Sequence, residues 1–371
     1  NYTLTGGTHQ LTVNQRPLVA SFSRLYDGTT TINSDDTSNV SIGFNALQGG
    51  ENLTMDGTGT VTSKDASALS QSVISVNLSL ANGTGGTAGL ASNYSLSSSN
   101  LTINKKPINT VYLSRKYNAS NSIAGSDLSS MTGLIGSETL TLSGSATMSS
   151  ANVGTNSVNA ALFTLGNGSN GGLANNYTVS GGSHTMVITQ RPLNATLARQ
   201  YDATTTSAGS TLSSFDALQG GETLTMSGSG TAASKNVANG IAMSSNGNLA
   251  LVDGTGSASN YSLNSTVINI SKRVLNSSGS KTYDANTDAL ASAITLSNLA
   301  STETLVDSGT ASTSSANAGS YTISNLTGIS IADGTNGGLA SNYTLTGGTH
   351  SFTVNQRPLN ATLARQYDAT T

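Results

Sequence analysis

The chain has 371 residues, of which 35% are hydrophobic, 5% aromatic and only 9% charged; its net charge is −3, and it has neither cysteine nor tryptophan. That balance offers no basic surface for nucleic acid, and no apolar run reaches the length of a membrane span. The lack of cysteine excludes a disulfide framework without arguing for the cytosol, because a chain threaded unfolded through an export pore gains nothing from early disulfides.

Glycine, serine, threonine and asparagine dominate, a composition that by itself reads as disorder; the periodic placing of the apolar residues is what argues for folding. The sequence opens inside a repeating unit at Asn1-Tyr2 and stops inside another just after Tyr367-Asp368, so it is expected to be a piece of a longer protein. The expected divisions are 1–15 (the end of a preceding repeat), 16–105, 106–190, 191–272 and 273–356 (four complete repeats), and 357–371 (the start of a following one).

Each repeat begins with a basic residue, usually followed by proline, at Arg16, Lys106, Arg191, Arg273 and Arg357. The tyrosines that follow, Tyr26, Tyr117, Tyr201, Tyr283 and Tyr367, are 91, 84, 82 and 84 residues apart. In the third repeat Leu193, Ala195, Leu197, Arg199 and Tyr201 alternate with Asn194, Thr196, Ala198 and Gln200, which a period of two places on opposite faces of a strand. Pro192 lacks an amide donor and belongs at the strand's beginning, and Asp202 can bond its own backbone to turn the chain.

Further along come Leu218-Gln219-Gly220-Gly221-Glu222, whose glycines can supply the positive φ of a tight turn, and a strand with Leu224 and Met226 inward. Ser234-Lys235-Asn236-Val237 is a polar turn, with counterparts at Ser63-Lys64-Asp65, Ser150-Ala151-Asn152-Val153 and Ser315-Ala316-Asn317-Ala318. The repeat closes on an Asn-Tyr step, at Tyr2, Tyr94, Tyr177, Tyr261 and Tyr343, and a pair of strands. From tyrosine to the next repeat's second residue the chain takes 15 residues where Gly-Gly-Thr-His or Gly-Gly-Ser-His is present (His9, His184, His350) and 13 after Tyr94 and Tyr261. A length change that leaves both flanks intact is expected at an exposed hairpin tip. No helical periodicity is sustained; six or seven short strands per repeat predict an all-β fold, a linear tandem array of small β-sandwich (Ig-like) domains of about 84 residues.

These motifs in this order (basic-Pro-Leu, Tyr26-Asp27-Gly28-Thr29-Thr30-Thr31, Leu-Gln-Gly-Gly-Glu, Lys-Asn-Val, Asn-Tyr-Thr-Leu) resemble the YDG repeat domains of large secreted bacterial surface proteins, among them filamentous haemagglutinin-like adhesins. The resemblance covers the whole chain, with alanine in place of the motif glycine at Ala119, Ala203, Ala285 and Ala369, and Asn118 in place of the aspartate. It implies export, a place at the cell surface or in the extracellular matrix, and a stalk or fibre of tandem β domains; it implies no catalytic residue.

The residues themselves point the same way. His9, His184 and His350 occur only in the longer closing segment, which suits loop residues better than catalytic ones. Asp35, Asp36, Asp56, Asp253 and Asp333 lie in glycine-rich turns, yet hold no common spacing as calcium ligands would, and read as turn formers. The Asn-Tyr steps at Asn1, Asn93, Asn176, Asn260 and Asn342 are also glycosylation sequons of the kind this composition produces by chance. No catalytic residue, cofactor or metal is expected. Tyr26, Tyr117, Tyr201 and Tyr283 after the opening strands, and Tyr94, Tyr177, Tyr261 and Tyr343 at the closing ones, are expected to build the core of the repeats. With charge so scarce, Arg24 and Glu51, Arg115 and Glu138, Arg199 and Glu222, and Lys281 and Glu303 are expected to pair within repeats.

The function expected is a structural stalk or fibre segment of a secreted adhesin or biofilm-matrix protein. Its expected partners are further copies of itself, through lateral or end-to-end assembly, or a matrix polymer. The alternative is a set of multivalent binding modules for carbohydrate or a host or matrix protein, which the shortage of aromatic residues disfavours.

Overall fold

In a computed structural model of the chain, which describes all residues except 1, 4, 37–39, 76, 324–325, 368 and 370–371, the alternating stretch is a strand in each complete repeat. These opening strands are Arg16–Leu25, Thr110–Lys116, Arg191–Gln200 and Asn276–Thr282. Leu193, Ala195 and Leu197 are buried, as the period of two requires. The Asn1 sequon and Asp368 lie outside the described residues. The chain divides into two compact units, Asn1–Thr189 and Gln190–Thr371, each holding two repeats.

No α-helix occurs among the described residues, and repeats 2 and 4 are each built on two packed sheets. In repeat 2 one sheet has the order Leu128–Thr132, Thr110–Lys116, Thr185–Thr189, Gly154–Ser157, and the other Ser122–Ala124, Leu140–Thr147, Phe163–Asn167. Repeat 4 follows the same plan, with Ile294–Ser297, Asn276–Thr282, His350–Asn355 and Gly319–Thr322 in one sheet. Its core joins the two sheets through Ala289, Ala311 and Ile329 on one side and Ile294, Phe352 and Val354 on the other. In repeat 3 the strand Ala238–Ser245 pairs with both Ser229–Ala232 and Tyr261–Ser271, so its two sheets are continuous at one edge.

The all-β tandem is the expected one, but the strand order adds a feature that alternation cannot reveal. The first and last strands of a repeat lie side by side and run parallel: Arg16–Leu25 with Tyr94–Asn104, Arg191–Gln200 with Tyr261–Ser271. The rest of the repeat is the crossover such a pair requires. Because the two strands point the same way, the chain enters a repeat at one end and leaves it at the other.

The closing segment is not the expected hairpin. In repeats 1 and 3 it is a single strand of 11 residues with a one-residue bulge, at Ser97 and Asn264. In repeat 2 the two extra residues enlarge that bulge into a loop without reversing the chain: Tyr177–Thr178 pairs with Lys106–Pro107, and Thr185–Thr189 then pairs with Tyr112–Lys116, both parallel. The loop needs Gly182, which has φ +85° and where a Cβ would lie 2.4 Å from the Asn109 carbonyl oxygen.

Where the strand swings out, the histidine takes its place. The Val111 N–H donates to His184 Nδ1 at 3.0 Å, so that nitrogen carries the lone pair and Nε2 the proton, 2.9 Å from the Gly181 carbonyl oxygen. In repeat 4 the equivalent His350, 6% exposed, sits with Nδ1 3.0 Å from Ser277 Oγ and Nε2 2.8 Å from the Leu345 carbonyl oxygen. The imidazole thus satisfies backbone groups that the bulge has separated. His184→Ala should leave the Val111 N–H without an acceptor and cost about 1–3 kcal/mol. Thermal unfolding checks this against His9→Ala at an exposed position, which should be neutral.

Candidate functional site: the joint between consecutive repeats

Two turns carry the polar residues of each repeat to its ends. The first follows the opening strand. The N–H groups of Tyr26, Tyr117, Tyr201 and Tyr283 bond the last residues of their closing strands, each at 2.9 Å. Two residues on, Gly28, Ala119, Ala203 and Ala285 all have left-handed backbones, with φ of 78°, 59°, 65° and 66°. This explains glycine in the motif, and alanine there carries roughly 1–2 kcal/mol of strain. The aspartate accepts the N–H two residues ahead, as at Asp27 from Thr29 and Asp202 from Thr204, both 2.9 Å, and Asn118 does the same for Ser120 at 3.1 Å.

The basic residue two before the tyrosine folds back over this turn. Arg24 bonds Asp27 at 2.8 Å and the Thr29 and Thr31 carbonyls; Arg199 bonds Asp202 and the Thr204 carbonyl; Lys281 pairs with Asp284 at 2.9 Å. Arg115, facing the uncharged Asn118, takes the more distant Asp127 at 3.4 Å. The expected pairing of Arg24, Arg115, Arg199 and Lys281 with the glutamates of their own repeats is therefore corrected. An aspartate three residues away costs less chain entropy to reach, and the buried guanidinium or ammonium also caps free carbonyls of the turn.

The second turn presents the glutamate. Arg16, Arg191 and Arg273 pin it by bonding the carbonyls of Ala46, Ala217 and Asn298, which have φ of 60°, 58° and 67°. Past the following positive-φ pair, Gly49 and Gly50 or Gly220 and Gly221, comes the glutamate. A relay then orients its carboxylate. In repeat 2 the Ile135 N–H donates to the Tyr177 hydroxyl at 2.9 Å, and that hydroxyl donates to Glu138 Oε2 at 2.6 Å. The same relay joins Gln48, Tyr94 and Glu51; Gln219, Tyr261 and Glu222; and Ala300, Tyr343 and Glu303.

Within each unit the second carboxylate oxygen is taken by the preceding repeat. In the first unit Tyr26 donates to Glu138 Oε1 at 2.6 Å, and in the second Tyr201 donates to Glu303 Oε1 at 2.7 Å. Lys235 Nζ adds a bond to Glu303 Oε1 at 2.9 Å, while Lys64 Nζ bonds the Tyr26 hydroxyl at 2.9 Å and stands 4.0 Å from Glu138. The tyrosine rings of adjoining repeats meet edge to face, Tyr26 with Tyr177 at 5.4 Å and Tyr201 with Tyr343 at 5.5 Å. Beside them the Asn176 side chain accepts from Ala66 N–H at 2.8 Å and donates to Asp65 at 2.9 Å; Asn342 does the same with Val237 and Asn236. Leu197, Tyr201, Ile268, Leu275, Ala300 and Tyr343 form one apolar cluster through the joint of the second unit.

Tyr26, Tyr177 and Tyr201 are held above the usual phenol range by burial first and by their glutamate bonds second; Tyr343 is pushed up to about 12 by the same two causes. Burial works against the charge of Glu303, but donation from Tyr201, Tyr343 and Lys235 outweighs it and holds the carboxyl below its ordinary value. Both oxygens are bonded and the residue is 4% exposed, so this carboxylate is shut away from any substrate proton; the arrangement clamps two repeats together.

The tyrosines expected in the core are buried at Tyr26, Tyr94, Tyr117, Tyr177, Tyr201, Tyr261 and Tyr343, whereas Tyr283 is 37% exposed. Sequence reasoning missed Lys64, Lys235, Asn176 and Asn342 as joint residues, although the Lys-Asn-Val and Asn-Tyr motifs that contain them were visible. Asp253 and Asp333 accept N–H bonds from Ala258 and Ala340, each at 2.7 Å, as turn formers. Among the described residues no three His, Asp or Glu come together as metal ligands.

A tandem of all-β repeats, joined in pairs within each unit by a shared carboxylate, is the class of protein defined here. A family model, the YDG domain, matches residues 8–102, 104–186, 189–268 and 271–351, and the chain belongs to that family. No curated protein matches it at a significant level.

Glu303→Ala should strand two buried phenols and an ammonium and cost about 3–5 kcal/mol, separating the melting of repeats 3 and 4 in calorimetry of the chain. Titration offers a second check. Tyr343 ionises later folded than unfolded, so its contribution is whole below pH 10.0 and is lost as pH rises toward about 12. Phenolate absorbance and β circular dichroism should therefore change together across that window. On the acid side Glu303, held low, contributes above its ordinary value of 4.5 and ceases to as pH falls below it; Glu303→Gln should remove that acid limb.

Proposed function

We propose that the chain is a stalk or fibre segment of a secreted bacterial surface or biofilm-matrix protein, in which each YDG repeat adds reach between regions carried elsewhere. The observation that carries this reading is the joint itself. The recurring tyrosines, glutamates, asparagines and lysines bond one repeat to the next at Tyr26, Lys64, Glu138, Asn176 and Tyr177, and again at Tyr201, Lys235, Glu303, Asn342 and Tyr343. A binding module would be expected to keep such residues facing a ligand.

The parallel pairing of first and last strands supports the same reading, since a repeat that passes the chain from one end to the other adds length each time it is copied. A cysteine-free sequence is compatible with unfolded export. Removal of residues 191–272 from the full protein should shorten its projection by one repeat, measured by imaging, and leave the affinity of any distal binding region unchanged. Saturable binding of a defined glycan or matrix polymer by the repeats, with avidity falling steeply on that deletion, would overturn the spacer reading.

A further inference from the structure

We infer that each joint is also a site of oxidative cross-linking, where a small diffusible one-electron oxidant couples Tyr26 to Tyr177, and Tyr201 to Tyr343, through a new carbon–carbon bond. The chemistry stands on the geometry of the joint; its use, a stalk whose repeats cannot part, rests on the reading proposed above. The rings of each pair already meet, with centroids 5.4 and 5.5 Å apart and planes at 77° and 79°. Both hydroxyls of a pair point at one carboxylate, at 2.6 Å each on Glu138 and at 2.7 and 2.6 Å on Glu303. Hydroxyls held this close bring together the ring carbons beside them, the positions through which phenoxyl radicals couple. The steep angle between the planes suits the product, because joined phenols of this kind are twisted about the bond between them.

Burial decides the partner. Tyr26 and Tyr201 are 0% exposed and Tyr177 and Tyr343 are 1% exposed, so a radical on any of them cannot meet a tyrosine of another molecule. The ring across the joint is held within reach instead. The electron has a short way to travel, because the partly exposed Lys64 and Lys235 lie over Tyr26 and Tyr201, at 5.3 and 6.0 Å from the ring centres. Their ammonium charges make a positively charged ring costly, so the proton has to leave with the electron, and the carboxylate is placed to take it. Composition also leaves tyrosine as the target: the chain has neither cysteine nor tryptophan, the other side chains that readily give up a single electron.

The step balances as follows. Each phenol gives one electron to the oxidant and its hydroxyl proton to the shared carboxylate, which passes the first proton to solvent before it takes the second. The two radicals then join through the carbons beside the oxygens, and the hydrogens on those carbons move to the oxygens and restore both hydroxyls. In sum two C–H bonds break, one C–C bond forms, two electrons reduce two equivalents of oxidant and two protons reach solvent. The product keeps both phenols on the carboxylate, so the clamp survives its own cross-link.

The test gives the dilute full-length chain a light-driven one-electron oxidant, the ruthenium tris-bipyridyl complex with persulfate, followed by digestion and mass spectrometry. The peptide holding Tyr26 should be found joined to that holding Tyr177, and Tyr201 to Tyr343, each pair lighter than its sum by two hydrogen atoms. Both products should exceed those of the same chain unfolded in urea by about tenfold or more. Glu138→Gln keeps the size of the side chain but takes up no proton, and should lower the first product about tenfold while sparing the second, which also reports that the chain is still folded. Tyr26→Phe should abolish the first product and leave the second.

Joined peptides no more abundant in the folded chain than in urea, or coupling dominated by an exposed ring such as Tyr283, would overturn the inference. So would an undiminished first product in Glu138→Gln. Failure here leaves the repeat-deletion result standing, whereas a saturable glycan ligand would sink the spacer reading without altering which tyrosines couple, so the two can be told apart.

Discussion

The structure depends on a carboxylate shared between two phenols. Glu138 and Glu303 each accept one hydroxyl from their own repeat and one from the repeat before, and the rest of the joint is arranged around that sharing. An unpaired carboxylate at these depths would be strongly destabilising, while one with both oxygens bonded gains from the low dielectric that would otherwise penalise it. The pinned turn with its positive-φ residues, the relay from a backbone N–H through a tyrosine hydroxyl, and the edge-to-face rings all aim the same two oxygens. Polar groups in a chain with so little charge therefore gather where repeats meet, and the sheets between are held by apolar packing.

Strand order explains why such a joint recurs. Parallel pairing of the first and last strands of a repeat puts its entry and exit at opposite ends, so the tyrosine after the opening strand and the glutamate after the second turn are available to different neighbours. The Tyr-Asp-Gly turn supplies the rigidity. Its left-handed third residue and the basic strap over it hold the ring in one place, and four repeats keep that geometry although three have alanine for glycine. Variation is absorbed elsewhere, in the closing-strand bulge, where His184 replaces the lost backbone partner of Val111 in repeat 2 and His350 meets the Ser277 hydroxyl and the Leu345 carbonyl in repeat 4.

Much of this was legible in the residues. Tyrosine spacing gave the repeats, alternation gave the opening strands and their buried faces, the glycine pairs gave the second turn, and the aspartate after the tyrosine gave the first. The ion pairs were not legible. Arg199 lies the same alternation step from Tyr201 whether it bonds Glu222 or Asp202, and only the folded path of the turn shows the nearer aspartate within reach. The histidines were misplaced for a similar reason: two added residues between two strand segments fit a hairpin or a bulge equally well, until pairing to the opening strand shows that the chain does not reverse.

By itself the sequence determined what repeats and which local conformations each copy adopts, because strand alternation and turn chemistry act over a few residues and read the same in every copy. Only the tertiary structure decided partnership. Each repeat contains both a tyrosine and a glutamate, so Tyr26 has Glu51 in its own repeat and Glu138 in the next, and nothing local distinguishes them. The choice rests on the parallel return of the closing strand, a contact between residues far apart in sequence (Leu18 with Leu96, 78 positions; Leu193 with Leu263, 70 positions). A period of two carries no information about the direction of a neighbouring strand.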